Sequence, residues 1–94
     1  MVSPYRVTGT DRGRHEIMLF ALSTCVWCKK TKRLLNDLGM SYEFIDVDQL
    51  SGQDKAEVME VMRRHNPRGT FPTIVIDGEC IVGYKEGQIK EALA

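Results

Sequence analysis

The chain has 94 residues and carries 13 Lys and Arg against 13 Asp and Glu, a formal net charge of zero. That balance argues against nucleic acid or an anionic membrane surface as the main partner. The length allows one domain with a modest core. No apolar run approaches the roughly 18 residues of a membrane span, and residues 1–15 carry charge with no signal-peptide h-region. Three cysteines are an odd number, too few for a disulfide scaffold, and point to a reducing, cytoplasmic setting.

Residues 1–15 (MVSPYRVTGTDRGRH) are polar, lack periodicity and are broken by Pro4, Gly9 and Gly13. They read as a flexible or loosely docked tail, with a short extra strand through Tyr5-Arg6-Val7-Thr8 as the alternative and His15 as a solvated residue. The domain proper is expected over 16–94. Glu16 to Leu22 is nearly all apolar, as suits a central parallel strand covered on both faces. Cys25 to Leu38 reads as a helix with Leu34, Leu35 and Leu38 on one side and Gly39 at its C′ position. Ser41 to Val47 reads as a second strand, aromatic and β-branched with acidic residues interleaved. Ser51, with Asp54 three residues on, resembles a capping box opening a second helix that reaches Arg64 or His65. That helix is expected to bury Ala56, Val58, Met59 and Met62, and Pro67 stops it. Thr73 to Ile76 and Glu79 to Val82 form two strands joined by Asp77-Gly78, a two-residue hairpin signal. A short helix from Glu86 to Leu93 closes the chain. The order β-α-β-α-β-β-α predicts an α/β fold, a four-stranded mixed sheet with helices on both faces.

The stretch that carries chemistry is Leu22-Ser23-Thr24-Cys25-Val26-Trp27-Cys28-Lys29-Lys30, where the first strand gives way to the basic first helix. A C-x-x-C pair at such a junction reads as a redox motif. Residues three apart on a helix face each other with Cβ atoms about 5–6 Å apart, and a disulfide needs about 3.5–4.5 Å, so a small adjustment opens and closes the bridge. The helix start presents unpaired N–H groups and the positive end of the macrodipole, with Lys29, Lys30, Lys32 and Arg33 close behind. Both features favour a thiolate. They select Cys25 as the attacking nucleophile and Cys28, one turn deeper, as the resolving thiol. Cys80, in the last strand, reads as a structural cysteine. Zinc held by Cys25 and Cys28 with Cys80 or His65 is the competing reading. A structural zinc site wants four ligands on compact turns, and one C-x-x-C with isolated partners does not offer them, so no metal is expected.

Together these residues resemble the thioredoxin superfamily, and most closely its glutaredoxin branch, from Ile17 to Leu93. Thr70-Phe71-Pro72 stands where glutaredoxins carry T-V-P, and Val82-Gly83-Tyr84-Lys85-Glu86 where they carry G-G-Y/C-x-D. The N-terminal βα unit of full-length thioredoxins is missing. The resemblance implies a thioredoxin-like fold and a dithiol–disulfide oxidoreductase with no bound cofactor. Its partners would be a disulfide-containing protein substrate and a thiol reductant, either glutathione or a thioredoxin-reductase-type enzyme, and the chain would act as a monomer. It further implies that Pro72 follows a cis peptide bond facing the sulfurs, with the Phe71 backbone pairing to an extended substrate. Thr24, Val26, Trp27, Thr70, Phe71, Pro72, Gly83, Tyr84, Lys85 and Glu86 are the substrate-binding candidates on this basis, Trp27 through stacking on a docked partner.

Three positions depart from the pattern. Val26-Trp27 replaces Pro-Tyr between the cysteines, Val82 replaces the first glycine of the G-G pair, and Glu86 replaces an aspartate. In the family those last positions hold the γ-glutamyl end of glutathione, and a valine side chain crowds that groove. Cys-Val-x-Cys with Gly-Tyr is closer to the glutaredoxin-like hydrogen donors of ribonucleotide reductase, which draw on a thioredoxin-reductase-type enzyme. Arg63, Arg64 and Arg68 are candidates for a substrate carboxylate but read singly as solvated charges. Two other functions compete: a glutathione-dependent iron–sulfur cluster protein, like the monothiol glutaredoxins, and a non-catalytic thioredoxin-like interaction module. Cys28 argues against the first, and the intact cysteine pair against the second.

Overall fold

Ile17–Ala21 forms the middle of the sheet, and its alternation explains why a run with no charge belongs there. Ile17, Leu19 and Ala21 point to one face and Phe20 to the other, and all four are buried. The structure, a computed structural model, describes residues 2–11 and 13–94. In chain order the elements are β1 (Tyr5–Val7), β2 (Ile17–Ala21), α1 (Val26–Asp37), β3 (Tyr42–Asp46), a 3₁₀ turn (Val47–Gln49), α2 (Gly52–His65), β4 (Thr73–Ile76), β5 (Glu79–Val82) and α3 (Glu86–Ala92). The sheet order is β1-β3-β2-β4-β5. Strands β2 and β3 run parallel, with Ala21 beside Asp46 at their ends, and the β4–β5 hairpin pairs antiparallel to β2.

Each sheet face has its own core. Leu19, Leu35, Tyr42, Ile74, Ile81 and Ile89 join elements α1 and α3 to one face, in the cluster that also holds Cys28. Phe20, Ile45, Val47, Val58, Met62 and Val75 join α2 to the other. Burying one such side chain fully contributes about 1.5–3 kcal/mol, so these rows outweigh any single surface interaction. No helix among the described residues is long and apolar enough to cross a membrane.

Local turns follow the sequence signals. Gly39 takes φ 70°, its N–H bonds Asn36 O and the Met40 N–H bonds Leu35 O, each at 3.0 Å, closing α1 in a Schellman motif. Asp77 and Gly78 have φ 50° and 86°, both positive as a type I′ hairpin turn requires.

Several expectations are corrected. The sheet has five strands, not four: of the two readings of the N-terminal residues the extra strand holds, over Tyr5–Val7, paired antiparallel to β3. Three residues are too few for a period to show, and what holds them is non-local. The Tyr5 ring stacks on Phe44 at 5.4 Å, and the N–H groups of Thr10 and Asp11 donate to Gly39 O at 2.8 and 3.0 Å. His15 is not simply solvated: its side chain is 17% exposed and Nδ1 lies 2.7 Å from Asp77 Oδ2, a contact that holds the Asp77 carboxyl below the usual range. Ala56 is exposed, because α2 buries the strip through Val58 and Met62 and Ala56 lies about 200° around the helix from Val58. Leu38, expected on one side of α1 with Leu34 and Leu35, is its C-cap and is exposed, whereas those two are buried. Ser51 is the N-cap of α2, yet its hydroxyl makes no capping bond; the next residue, Gly52, is left-handed at φ 56°.

The docked N-terminal segment depends on a close backbone approach. A Cβ on Gly9 would lie 2.3 Å from Gly39 O. Gly9→Ala is therefore expected to destabilise the fold by about 1–3 kcal/mol. Urea unfolding measures this, and a variant as stable as the parent would contradict the docking described.

Candidate active site

Cys25 is the N-cap of α1, with extended backbone (φ −82°, ψ 118°). Its N–H bonds Leu22 O at 3.1 Å, and its Sγ accepts the N–H of Cys28 at 3.2 Å. A cysteine thus occupies the place usually taken by Ser, Thr, Asp or Asn, and its sulfur satisfies one of the helix's unpaired donors. The positive end of the helix dipole points at the same place. No acidic residue sits in the first turn to oppose this. Cys28, one turn on, is fully buried in the α1 side of the core. Burial first, and then its hydrogen bond with Cys25, pushes the Cys28 thiol up to about 12. Both cysteines are free thiols, so the structure is the reduced form. The two sulfurs are neighbours in very different settings.

The loop leading to Cys25 is tied down from the side. Asp48, in the 3₁₀ turn after β3, accepts the Ser23 N–H through Oδ1 at 2.8 Å and the Ser23 hydroxyl through Oδ2. These bonds hold the Asp48 carboxyl below the usual carboxylate range. Gln49 Nε2 adds a bond to Ser23 Oγ at 3.0 Å. Thr24, the next residue, is exposed.

The Thr70-Phe71-Pro72 segment enters β4 through a cis Phe71–Pro72 bond. It is pinned by Asn66, which is buried and donates through Nδ2 to Thr73 Oγ1 at 2.8 Å and Thr70 Oγ1 at 3.2 Å. Pro72 is buried, and its carbonyl accepts the Gly83 N–H at 2.8 Å, which ties the β5–α3 loop to the proline. Phe71 and Tyr84 are half-buried and, with Cys25, pack against the cluster that holds Cys28. The predicted positions in the first helix, the proline segment and the last loop therefore meet at one end of the sheet.

Trp27 does not fold back on the sheet. It is 55% exposed, stacks on Tyr84 with centroids 5.9 Å apart, and lies under Lys30 Nζ at 4.5 Å. Beside it Val26 is 62% exposed. Val82 is exposed at the glycine position noted above, and Lys85 is exposed too. Glu86 is engaged with Lys90 at 3.1 Å in an exposed pair on α3. Of the basic residues expected behind Cys25, Lys32 is turned instead to Asp46, 2.9 Å away. Cys80 is half-buried in β5, paired beside Val75, with its thiol raised by burial. Among the described residues, no three of His, Cys, Asp and Glu converge as metal ligands would.

The Ser23–Asp48 and Lys32–Asp46 pairings and Asn66 flank the two cysteines and the proline segment, and the sequence does not single out these pairings or Asn66. No local motif marks them: their partners are 25, 7 and 14 residues away. Asn66 in particular reads only as the end of α2.

Comparison with known proteins agrees with this geometry. The glutaredoxin family model matches residues 17–81. An uncharacterized glutaredoxin-like 8.6 kDa protein from the rubredoxin operon of Clostridium pasteurianum is 34% identical over 77 residues, 82% of this chain and 96% of that protein. The crystal structure of methanoredoxin from Methanosarcina acetivorans is similar over 99% of this chain and 96% of its own, with 46% identity and a TM-score of 0.86. NrdH-redoxin of Escherichia coli, described as a glutaredoxin-like protein with a thioredoxin-like activity profile, aligns at 25% identity with a TM-score of 0.67, covering 81% of this chain and 92% of its own. The chain belongs to the glutaredoxin family, whose members are thiol–disulfide oxidoreductases.

Proposed function

We propose that the protein reduces disulfides in protein substrates through a Cys25–Cys28 dithiol, with Cys25 attacking and Cys28 resolving. The observation that carries this reading is the asymmetry of the two sulfurs. Cys25 Sγ sits at the helix start with a backbone N–H donated to it, whereas Cys28 is fully covered. The Cys25 thiolate attacks one substrate sulfur and releases the other as a thiol. Cys28 then gives up its proton, bonds to Cys25 and displaces the remaining substrate sulfur. The dithiol itself carries the electron pair, and a thiol-based partner returns the bridge to its reduced form. Thr24, Val26, Trp27, Phe71 and Tyr84 frame the attacking sulfur as the docking surface, and the Phe71 backbone pairs with an extended substrate segment. Gly83, Lys85 and Glu86 border it on the side of the last helix, and Thr70 and Pro72 shape the floor.

For the reductant, a thioredoxin-reductase-type enzyme is the better fit. Val82 is exposed where the family has glycine, a position that the resemblance ties to glutathione, and Trp27 stacked on Tyr84 offers an aromatic face to a protein partner. The thioredoxin-like activity profile of the Escherichia coli neighbour supports this choice. The setting proposed is a reducing cytoplasm, with the protein acting as a monomer.

In a disulfide-reduction assay, Cys25→Ser is expected to lose activity to background and Cys28→Ser to accumulate mixed disulfides visible by mass spectrometry. Cys80→Ser should turn over as the parent does; a Cys80 variant as damaged as Cys25→Ser would overturn the roles. Offered the oxidised protein side by side, a thioredoxin-reductase-type enzyme is expected to reduce it faster than glutathione does. The reverse order would reassign the reductant.

A further inference from the structure

Lys32 stands four residues after Cys28, on the same side of α1 and one turn further along. Its ammonium is fixed in place. Nζ lies 2.9 Å from Asp46 Oδ1 and 4.0 Å from the centroid of the Phe44 ring, with 21% of the Lys32 side chain and 17% of the Asp46 side chain exposed. Asp46 ends β3 beside Ala21, the last residue of β2, from which the chain leaves for the Cys25 loop. The ion pair therefore lies at the sheet end where the redox pair sits.

The surroundings of Cys28 make this cation matter. Leu19 and Ala21 from β2, Ile74 from β4 and Ile89 from α3 supply an apolar wall. The titratable side chains around that cluster are Cys25 and Tyr84 at its rim and Tyr42, whose hydroxyl donates to Asn36 Oδ1 at 3.1 Å. A Cys25 anion opposes ionisation of Cys28, and Lys32 favours it. In the mixed disulfide Cys25 carries no charge and no longer opposes that ionisation, but burial still does, so Cys28 is a poor attacker at neutral pH unless charge developing on it is stabilised.

We propose that Lys32, clamped between Asp46 and Phe44, is a positioning residue for the second half of the reaction, stabilising the negative charge that develops on Cys28 Sγ as it attacks the mixed disulfide. This rests on Cys28 being the resolving sulfur. In that step the Cys28 S–H bond breaks and its proton goes to water. The electron pair forms the bond to Cys25 Sγ, and the bond from Cys25 to the substrate sulfur breaks. The departing pair stays on the substrate sulfur, which takes a proton from water. The substrate gains the two electrons that the dithiol gives up.

The test follows resolution and titration separately. Lys32→Met keeps an unbranched stem against Phe44 and removes the charge; Lys32→Gln removes it with a different stem should methionine disturb the packing. In rapid-mixing experiments, release of the second substrate thiol is expected to slow about tenfold, with Lys32→Arg restoring it. In a Cys25→Ser background, the Cys28 midpoint read from its Cβ NMR shift should rise in Lys32→Met and fall in Asp46→Asn. Opposite directions are the mark of an electrostatic role. Unchanged release and titration in Lys32→Met and Lys32→Gln, or a shift of the same sign in the Lys32 and Asp46 variants, would overturn the proposal. If those variants change nothing while Cys28→Ser still traps mixed disulfides, the proposal falls and the resolving role stands. If Cys28→Ser traps none, the resolving role falls and takes the proposal with it.

Discussion

A helix can start at only one residue, and here that residue is a cysteine. Its sulfur takes the capping position and receives the N–H of Cys28, so the geometry that opens α1 also sets the two sulfurs three residues and one turn apart. The consequence is an unequal pair. One thiol caps the positive helix end, while the other is buried in the core on the α1 side of the sheet and held protonated by its surroundings. The unequal settings let a single dithiol perform two different steps, and the remaining structure holds that inequality in place.

The restraints come from three sides. Asp48 holds Ser23 and with it the loop into Cys25. Asn66 fixes the segment from Thr70 to Thr73, and Pro72 receives Gly83 from the far end of the hairpin. Beneath, the apolar rows of β2 and β4 set the height at which α1 lies. None of these contacts touches a reacting atom, yet each removes a direction in which the sulfurs could drift apart. The exposed face is left to Val26 and to Trp27, which stacks on the half-buried Tyr84 and lies under Lys30.

The order of helices and strands was legible wherever the signal was local. The apolar run 17–22, the Gly39 stop and the Asp77-Gly78 turn each carry their meaning within a few residues. The C-x-x-C pair did the same for the site, since its spacing and its place at a strand–helix junction are written consecutively. What escaped was built by pairing across distance. Strand β1 exists because Tyr5 finds Phe44 and Gly9 lets the backbone approach Gly39, and neither neighbour lies near it in the chain. In the sequence Lys32 is one more charge behind Cys25, although a carboxylate 14 residues away turns it aside. Asp48 and Asn66 looked like ordinary loop and helix-end residues for the same reason. Ala56 was misplaced because alanine fits either face of a helix and leaves no periodic mark.

The most direct measurement of the central claim is the distribution of a limiting dose of iodoacetamide over the three thiols of the fully reduced protein at neutral pH, mapped by peptide mass spectrometry. The account predicts carbamidomethyl label first on Cys25, with Cys80 trailing it and Cys28 unmodified until the protein is unfolded. Label divided evenly between Cys25 and Cys28, or found first on Cys28, would contradict it.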